Sequence, residues 1–371
     1  MSEIIRRQRM AAFAELMHSQ GVDHTLVLNP GLGNLDQWFF AKTELPLAAP
    51  FNRNPAYLVS GDGEILSLSQ VTTHPTDRDQ FPAIGDTDLA RVFQGRPVGI
   101  VNPQFLKKPV RDHLVSAYPA FDWADLTTEF AALRAVKTPE EVQALTLAAA
   151  EYDRLFTALP LLLRAERLEK EVVNDLRQRL AWQGAAGETP AFHTQVNLTS
   201  APMDGPSAAL PIFWPGRRLS WGDRVNVTVR GYLPGGFSAA LGRTLTLGQA
   251  TETTKRAFDL ALEAQALAVS LLRPGQTLGQ VTNTVNSFLQ AQGFLADESV
   301  WISGLGVSAY EWPRNLGPGM DTPLQEGMVL AVGPEARYPG QDGYRLMDAV
   351  CITSNGAVRL SQTDQALREL F

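Results

Sequence analysis

The sequence predicts an α/β (α+β) protein in two parts, and three observations carry that reading. The chain is 371 residues long, about two ordinary domains' worth. Up to Leu126, short β-rich runs alternate with helical ones, the pattern of a small mixed sheet with helices packed on it. Beyond Thr138 the character changes to long helices and paired strands.

In the first part, Met10–Gln20 carries Phe13, Leu16 and Met17 at helical spacing, with Gly21 as a stop. Thr25-Leu26-Val27-Leu28 reads as a strand ended by Asn29-Pro30-Gly31. Short strands follow at Ala56–Ser60, Glu64–Leu68 and Val98–Val101, then a helix at Leu106–Tyr118. In the second part, Thr138-Pro139-Glu140-Glu141 is a helix start: Thr138 caps, Pro139 needs no N–H partner, and Glu141 reaches back. Pro160 marks the kink or end of that helix, and another runs from Leu168 to Gln183. Asp223–Tyr232 and Phe237–Leu247 read as strands joined by a turn at Pro234-Gly235-Gly236. Helices follow at Ala250–Leu272 and Thr277–Gln292, the latter with Thr277 and Gln280 as a capping box. Met328–Val332 and Leu346–Thr353 are late, buried strands.

With 44% apolar and 19% charged residues, the chain has material for a sizeable core. A net charge of −7 argues against nucleic acid as a partner, because phosphate binding needs a clustered surplus of Lys and Arg. No apolar run is long enough for a membrane helix, and the first ten residues carry Arg6, Arg7 and Arg9 without a hydrophobic stretch behind them. The expectation is therefore a cytoplasmic protein with no membrane partner. One cysteine, Cys351, excludes an internal disulfide framework and any multi-cysteine zinc site.

Catalytic constellations are absent from the usual places: there is no Walker loop, nucleophile elbow or H-E-x-x-H. Gly304-Leu305-Gly306 reads as loop geometry, and Cys351, in an alternating strand, as a buried structural thiol. Of five histidines only His193 lies beyond residue 113, as a satisfied histidine at a cleft edge or a catalytic group.

Several segments nevertheless occur in the order of one family. Leu133–Glu141, Leu168–Gly187, Ala209-Leu210-Pro211 through Gly222-Asp223, Gly242-Arg243-Thr244-Leu245 with Gly248, Arg273-Pro274-Gly275, Tyr310-Glu311-Trp312-Pro313 and Glu326-Gly327-Met328 are the matching pieces. Together they resemble the pita-bread metallopeptidases: aminopeptidase P, prolidase, methionine aminopeptidase and creatinase. The resemblance implies an N-terminal creatinase/prolidase-like domain over 1–128. It implies a pita-bread domain over 129–371, with a curved antiparallel sheet flanked by helices, and a homodimer.

Such peptidases use two divalent metals, such as Mn or Co, held by two Asp, one His and two Glu. Overlaying G-D-x-V-x-x-D on Gly222–Thr228 equates the first Asp with Thr228, and three residues before Arg243 the second falls on Ala240. H-G-x-G-x-x-x-H-E-x-P on Ser303–Pro313 equates the His with Ser303, and the Glu positions fall on Gly333 and Met347. The two helper histidines correspond to Ile212 and Tyr310. The resemblance thus implies a member without the metal ligands, and the expected cofactor is none. Neighbouring acids do not rebuild the site: Glu335 lies about 7 Å along the strand from Gly333, Asp348 points away from Met347, and Asp204, Asp321 and Asp342 fall in loops.

What remains is a cleft expected to bind a peptide or small anionic ligand such as a carboxylate. Its expected lining is Arg243, Arg345, Arg230, Glu311, Tyr310 and Ile212, with Phe213, Trp214 and Trp312 as further aromatics or ordinary packing. The bland reading pairs the arginines with acids such as Glu311. The rival reading is an active Xaa-Pro peptidase, or a metal-independent hydrolase using Glu311, His193 or Tyr310; a purely structural role is the third.

Overall fold

The computed structural model describes residues 3–28, 55–69, 83, 84, 87, 89, 92, 97–118, 122–183, 194–203, 205, 216–232, 236–294, 300–307, 311–315, 320–336 and 344–371. The chain divides into two compact units, Met1–Arg134 and Ala135–Phe371.

The first unit opens with α1 (Glu3–Ser19). This helix starts a full two turns before the apolar periodicity does. Its first turn is charged instead, with Glu3 accepting from Arg6 and Arg7 at 2.6 and 3.0 Å. Those two guanidiniums hold the Glu3 carboxyl down to about 2. Phe13 and Met17 are fully buried, and Phe13 meets Phe130 edge-on at 5.2 Å. The sheet has the order β3-β2-β1-β4-β5, built from β1 (His24–Leu28), β2 (Pro55–Ser60), β3 (Ile65–Ser69), β4 (Val98–Val101) and β5 (Trp123–Asp125). β1 runs antiparallel to β2 and parallel to β4, so the sheet is mixed. Between β4 and β5 lies α2 (Lys108–Ala117), which buries Val110 and Leu114. Then comes α3 (Thr127–Ala135), opened by Asp125, whose carboxylate accepts from Thr127 N at 2.9 Å and Oγ1 at 2.5 Å. The expected cut after residue 128 falls inside this helix.

The second unit begins with α4 (Pro139–Leu162), capped by the expected box. Thr138 Oγ1 accepts from Glu141 N at 3.3 Å, and Glu141 Oε2 accepts from Thr138 N at 2.9 Å. Pro160 does not end this helix. It sits in the last turn, two residues before the helix ends at Leu162. After α5 (Glu169–Gln183) come β6 (Gln195–Pro202), β7 (Asp223–Tyr232) and β8 (Ser238–Leu247), then α6 (Glu252–Leu271) and α7 (Leu278–Ala291). The Thr277–Gln280 capping box is present. The remaining strands are β9 (Val300–Gly304), β10 (Glu311–Arg314), β11 (Val329–Ala336), β12 (Tyr344–Arg345), β13 (Asp348–Thr353), β14 (Gly356–Arg359) and β15 (Arg368–Leu370).

These strands form two sheets. One has the order β15-β8-β7-β6, the other β10-β9-β11-β13-β14 with β12 paired to β11. β7 and β8 pair antiparallel as expected, although 234 and 235 of the expected turn lie outside the described residues. Every residue of β8 is buried, because α4 covers one face and β12 and β13 pack on the other. One core joins α4 and α5 to the first sheet through Tyr152, Leu155, Val172, Leu176, Val227 and Leu241. A second joins α6 and α7 to the other sheet through Phe258, Val281, Val285, Leu330, Val350 and Ile352. The sheets therefore meet along β8, and the positions singled out by the motifs collect at that seam.

Candidate functional site

Register brings four of the five motif positions into one neighbourhood. Thr228 lies opposite Gly242, and Arg230 opposite Ala240. Met347 exchanges backbone hydrogen bonds with Gly242, at 2.9 and 3.1 Å. A Cβ added at Gly242 would lie 3.0 Å from Met347 Cβ and 3.2 Å from Thr228 Oγ1. At Gly333 a Cβ would lie 2.8 Å from Leu346 O and 3.2 Å from Met347 Cε, so the methionine fills the space a side chain there would need. Ser303 belongs to β9, paired with β11 so that Trp301 faces Gly333.

Arg230 connects the two sheets. By strand alternation it shares a face of β7 with Thr228. Its Nη2 donates to Ser303 Oγ, its guanidinium carbon lies 5.7 Å from the Trp301 ring centroid, and Trp301 Nε1 donates to the same hydroxyl at 3.3 Å. Arg230 is 4% exposed and Ser303 fully buried. Burial pushes the Tyr152 hydroxyl above its ordinary range, and the nearby Arg230 charge works in the opposite direction.

Two residues expected in the cleft are committed to the scaffold instead. Arg243 is a correction. Its Nε donates to Asp364 O, Nη1 to Gly242 O and Met347 O, and Nη2 to Asp348 Oδ1 at 2.7 Å and Thr363 O. Five donors are engaged, so none remains for a ligand. Asp348 also accepts from Ser361, Gln265 and Gln365, which turns it away from Met347 as the alternation requires. Glu311 is the second correction. Lys137 Nζ donates to Glu311 Oε2 at 2.9 Å, with both side chains at most 5% exposed. Lys137 also donates to Ala135 O. A carboxylate spent on a buried ammonium is not positioned as a general base.

The Gly304-Leu305-Gly306 segment has a steric reason rather than a ligand. A Cβ at Gly304 would lie 2.6 Å from Trp312 O, and one at Gly306 2.3 Å from Glu311 Oε2. Arg345 is half-buried on β12, and its backbone N–H donates to Thr244 Oγ1 at 2.8 Å. Burial lowers its guanidinium below the usual value. Cys351 is buried as expected. His193, Ile212, Tyr310, Phe213, Trp214, Asp204 and Asp342 lie outside the described residues, as does the side chain of Glu335. Lys137 and Trp301 were not singled out from sequence; Lys137 lies within the Leu133–Glu141 motif, and that was the available signal.

The fold and the motif order agree with comparisons to known proteins. The model for metallopeptidase family M24 matches residues 143–354, more than half of the chain. Over 238 residues the chain is 30% identical to the Xaa-Pro dipeptidase of Pyrococcus furiosus, covering 63% of this chain and 65% of that protein. The match thus spans just under two thirds of that relative's length. It is 28% identical over 285 residues to a probable dipeptidase PepE of Mycobacterium tuberculosis, covering 73% of each. The prolidase structure from Pyrococcus horikoshii OT3 shares the fold, with a TM-score of 0.75 at 21% identity over 96% of this chain and 99% of that one. The X-Pro aminopeptidase from Thermotoga maritima gives 0.77 at 18% identity over 97% and 99%. The expected mixed α/β pita-bread architecture is the architecture found.

The comparisons overturn the expectation of no cofactor, because the matching family is one of metallopeptidases and carries divalent-metal chemistry with it. The five motif positions do not by themselves fit such ions. They offer two hydroxyls, a thioether and two side chains with no donor atom, whereas a hard cation takes several convergent oxygens. Among the described residues, no group of three or more His, Cys, Asp or Glu is arranged to hold an ion. With a family model over most of its second unit and a shared fold along nearly its whole length, the chain belongs to metallopeptidase family M24.

Proposed function

We propose that this family member binds a peptide or small carboxylate in the seam between its two second-unit sheets without hydrolysing it, and that Arg230 anchors the ligand. One observation carries the reading: a buried guanidinium on the Thr228 face of β7 donates to Ser303, itself one of the motif positions. An arginine side chain stays charged at any working pH, so this spot holds a fixed cation. Fixed positive charge in a low-dielectric place attracts carboxylates. Thr228, Ala240, Ser303, Gly333 and Met347 carry no carboxylate or imidazole, which leaves the Arg230 guanidinium as the charged group beside Ser303. Arg345 on β12 supplies a second positive charge to the lining.

The names of the relatives favour the rival reading, an active Xaa-Pro dipeptidase. Assay of purified protein against Xaa-Pro dipeptides, with and without Mn²⁺ or Co²⁺, separates the two. The expected result is no turnover, with a dipeptide-induced rise in thermal midpoint that Arg230→Met abolishes. Turnover lost on chelation and restored by metal overturns the proposal. A reversion variant tests the overlay itself: Thr228→Asp, Ala240→Asp, Ser303→His, Gly333→Glu and Met347→Glu together, with Arg230→Gly to clear the space. Saturable Mn²⁺ binding to this folded variant by calorimetry is the expected outcome, and its absence counts against the assignment of the five positions. We also propose a homodimer; light scattering at twice 40.5 kDa is the expected result, and a monomer refutes it.

A further inference from the structure

We propose that Arg224 forms a second carboxylate-binding site, separate from the seam anchored by Arg230 and filled by a small carboxylate from solution. Arg224 stands near the start of β7 and is 1% exposed, the largest of the fully buried side chains. Its Nη1 donates to Met203 O at 3.1 Å. Among the described residues, its Nε and Nη2 have no hydrogen-bond partner. The guanidinium carbon lies 5.0 Å from the Tyr344 ring centroid.

The two idle donors are not an arbitrary pair. Nε–H and one Nη2–H lie parallel along one edge of the guanidinium, the fork that a carboxylate meets with both oxygens. The Met203 carbonyl holds the other side and the Tyr344 ring holds the face, so the fork is oriented before any ligand arrives. A permanently charged group taken out of water is costly unless paired. The obvious acids have other partners: Asp223 takes Arg217 and Ser220 N, Asp348 takes Arg243, and Glu169 takes Ser200. Chemistry that accepts two parallel donors and cancels one positive charge is a carboxylate. Six residues along an extended strand place this fork about 20 Å from Arg230, too far for one small anion to serve both.

The test uses the full chain dialysed into a chloride buffer. Its thermal midpoint is followed during titration with sodium acetate at constant ionic strength. At ten times the dissociation constant the expected rise is about 2 to 3 °C for Arg230→Met, in which the seam does not contribute. Adding Arg224→Met or Arg224→Lys to Arg230→Met, the lysine keeping charge but losing the fork, is expected to abolish the rise. A readout independent of variant folding is the ¹⁵N resonance of Arg224 Nε in the wild type, expected to move saturably with acetate. An undiminished midpoint rise when Arg224→Met is added to Arg230→Met overturns the proposal. So does a wild type indifferent to acetate whose Arg224→Met variant is strongly destabilised, since the fork is then filled by a carboxylate of the chain itself.

Discussion

Arg243 and Arg224 are buried arginines on adjacent strands of one sheet, and they have opposite fates. Arg243 on β8 engages five donors, with Asp348 as counter-charge and four carbonyls around it. Arg224 on β7 has one donation to a carbonyl, a ring beneath it, and two donors without a partner among the described residues. Their faces differ too: register sets Arg243 against Val227 and Arg224 against Thr246. The comparison teaches that residue type alone does not distinguish a scaffold arginine from a receptor. What distinguishes them is whether the fold brings a carboxylate to the guanidinium.

Removing that carboxylate gives the largest expected effect. Asp348→Ala leaves Arg243 buried and unpaired and also frees Ser361, Gln265 and Gln365, so urea unfolding is expected to show a loss of about 3 to 5 kcal/mol. A loss below about 1 kcal/mol erases the contrast between the two arginines. Next is Gly306→Ala, which sharpens the same point for the Lys137–Glu311 pair. The new Cβ would meet Glu311 Oε2 at 2.3 Å, so the carboxylate must shift off Lys137. The expected cost is about 1 to 3 kcal/mol; a neutral variant means the carboxylate has room to move while keeping its partner.

Cys351 gives the smallest effect. Burial raises its thiol above the ordinary value, the nearby Lys137 lowers it and Glu326 raises it. A raised acid is more easily ionised in the unfolded chain, so its contribution is complete below the unfolded value of about 8.5 and fades as pH climbs beyond it. Native protein at pH 8 is expected to resist thiol reagents until unfolded. Rapid native labelling contradicts the buried, neutral thiol.

Thr138 and Thr277 show what short-range signals reveal. Each cap and its partner three residues on were readable in the chain and stand in the structure at 2.9 to 3.3 Å. The β7–β8 pair was readable for the same reason, since its alternation and turn lie in one stretch. β5, β6, β9, β10, β12, β14 and β15 were not predicted. β15 is three residues, Arg368-Glu369-Leu370, too short for any period to register, and it exists by pairing in parallel with β8 more than a hundred residues earlier in the chain.

The motif order was enough to nominate the five seam positions from sequence, and register then carried Thr228, Gly242, Met347 and Gly333 into contact. The partners of Arg243 and Glu311 are not legible in the sequence because they are remote: Asp348 is 105 residues from the first, and Lys137 is 174 from the second. By itself the sequence determined the fold class and the capped helix starts at Thr138 and Thr277, because capping and periodicity act over a few residues. Only the tertiary structure decided which charge meets which, because ion pairing depends on the register of strands far apart in the chain, and that register is set by burial of their shared faces.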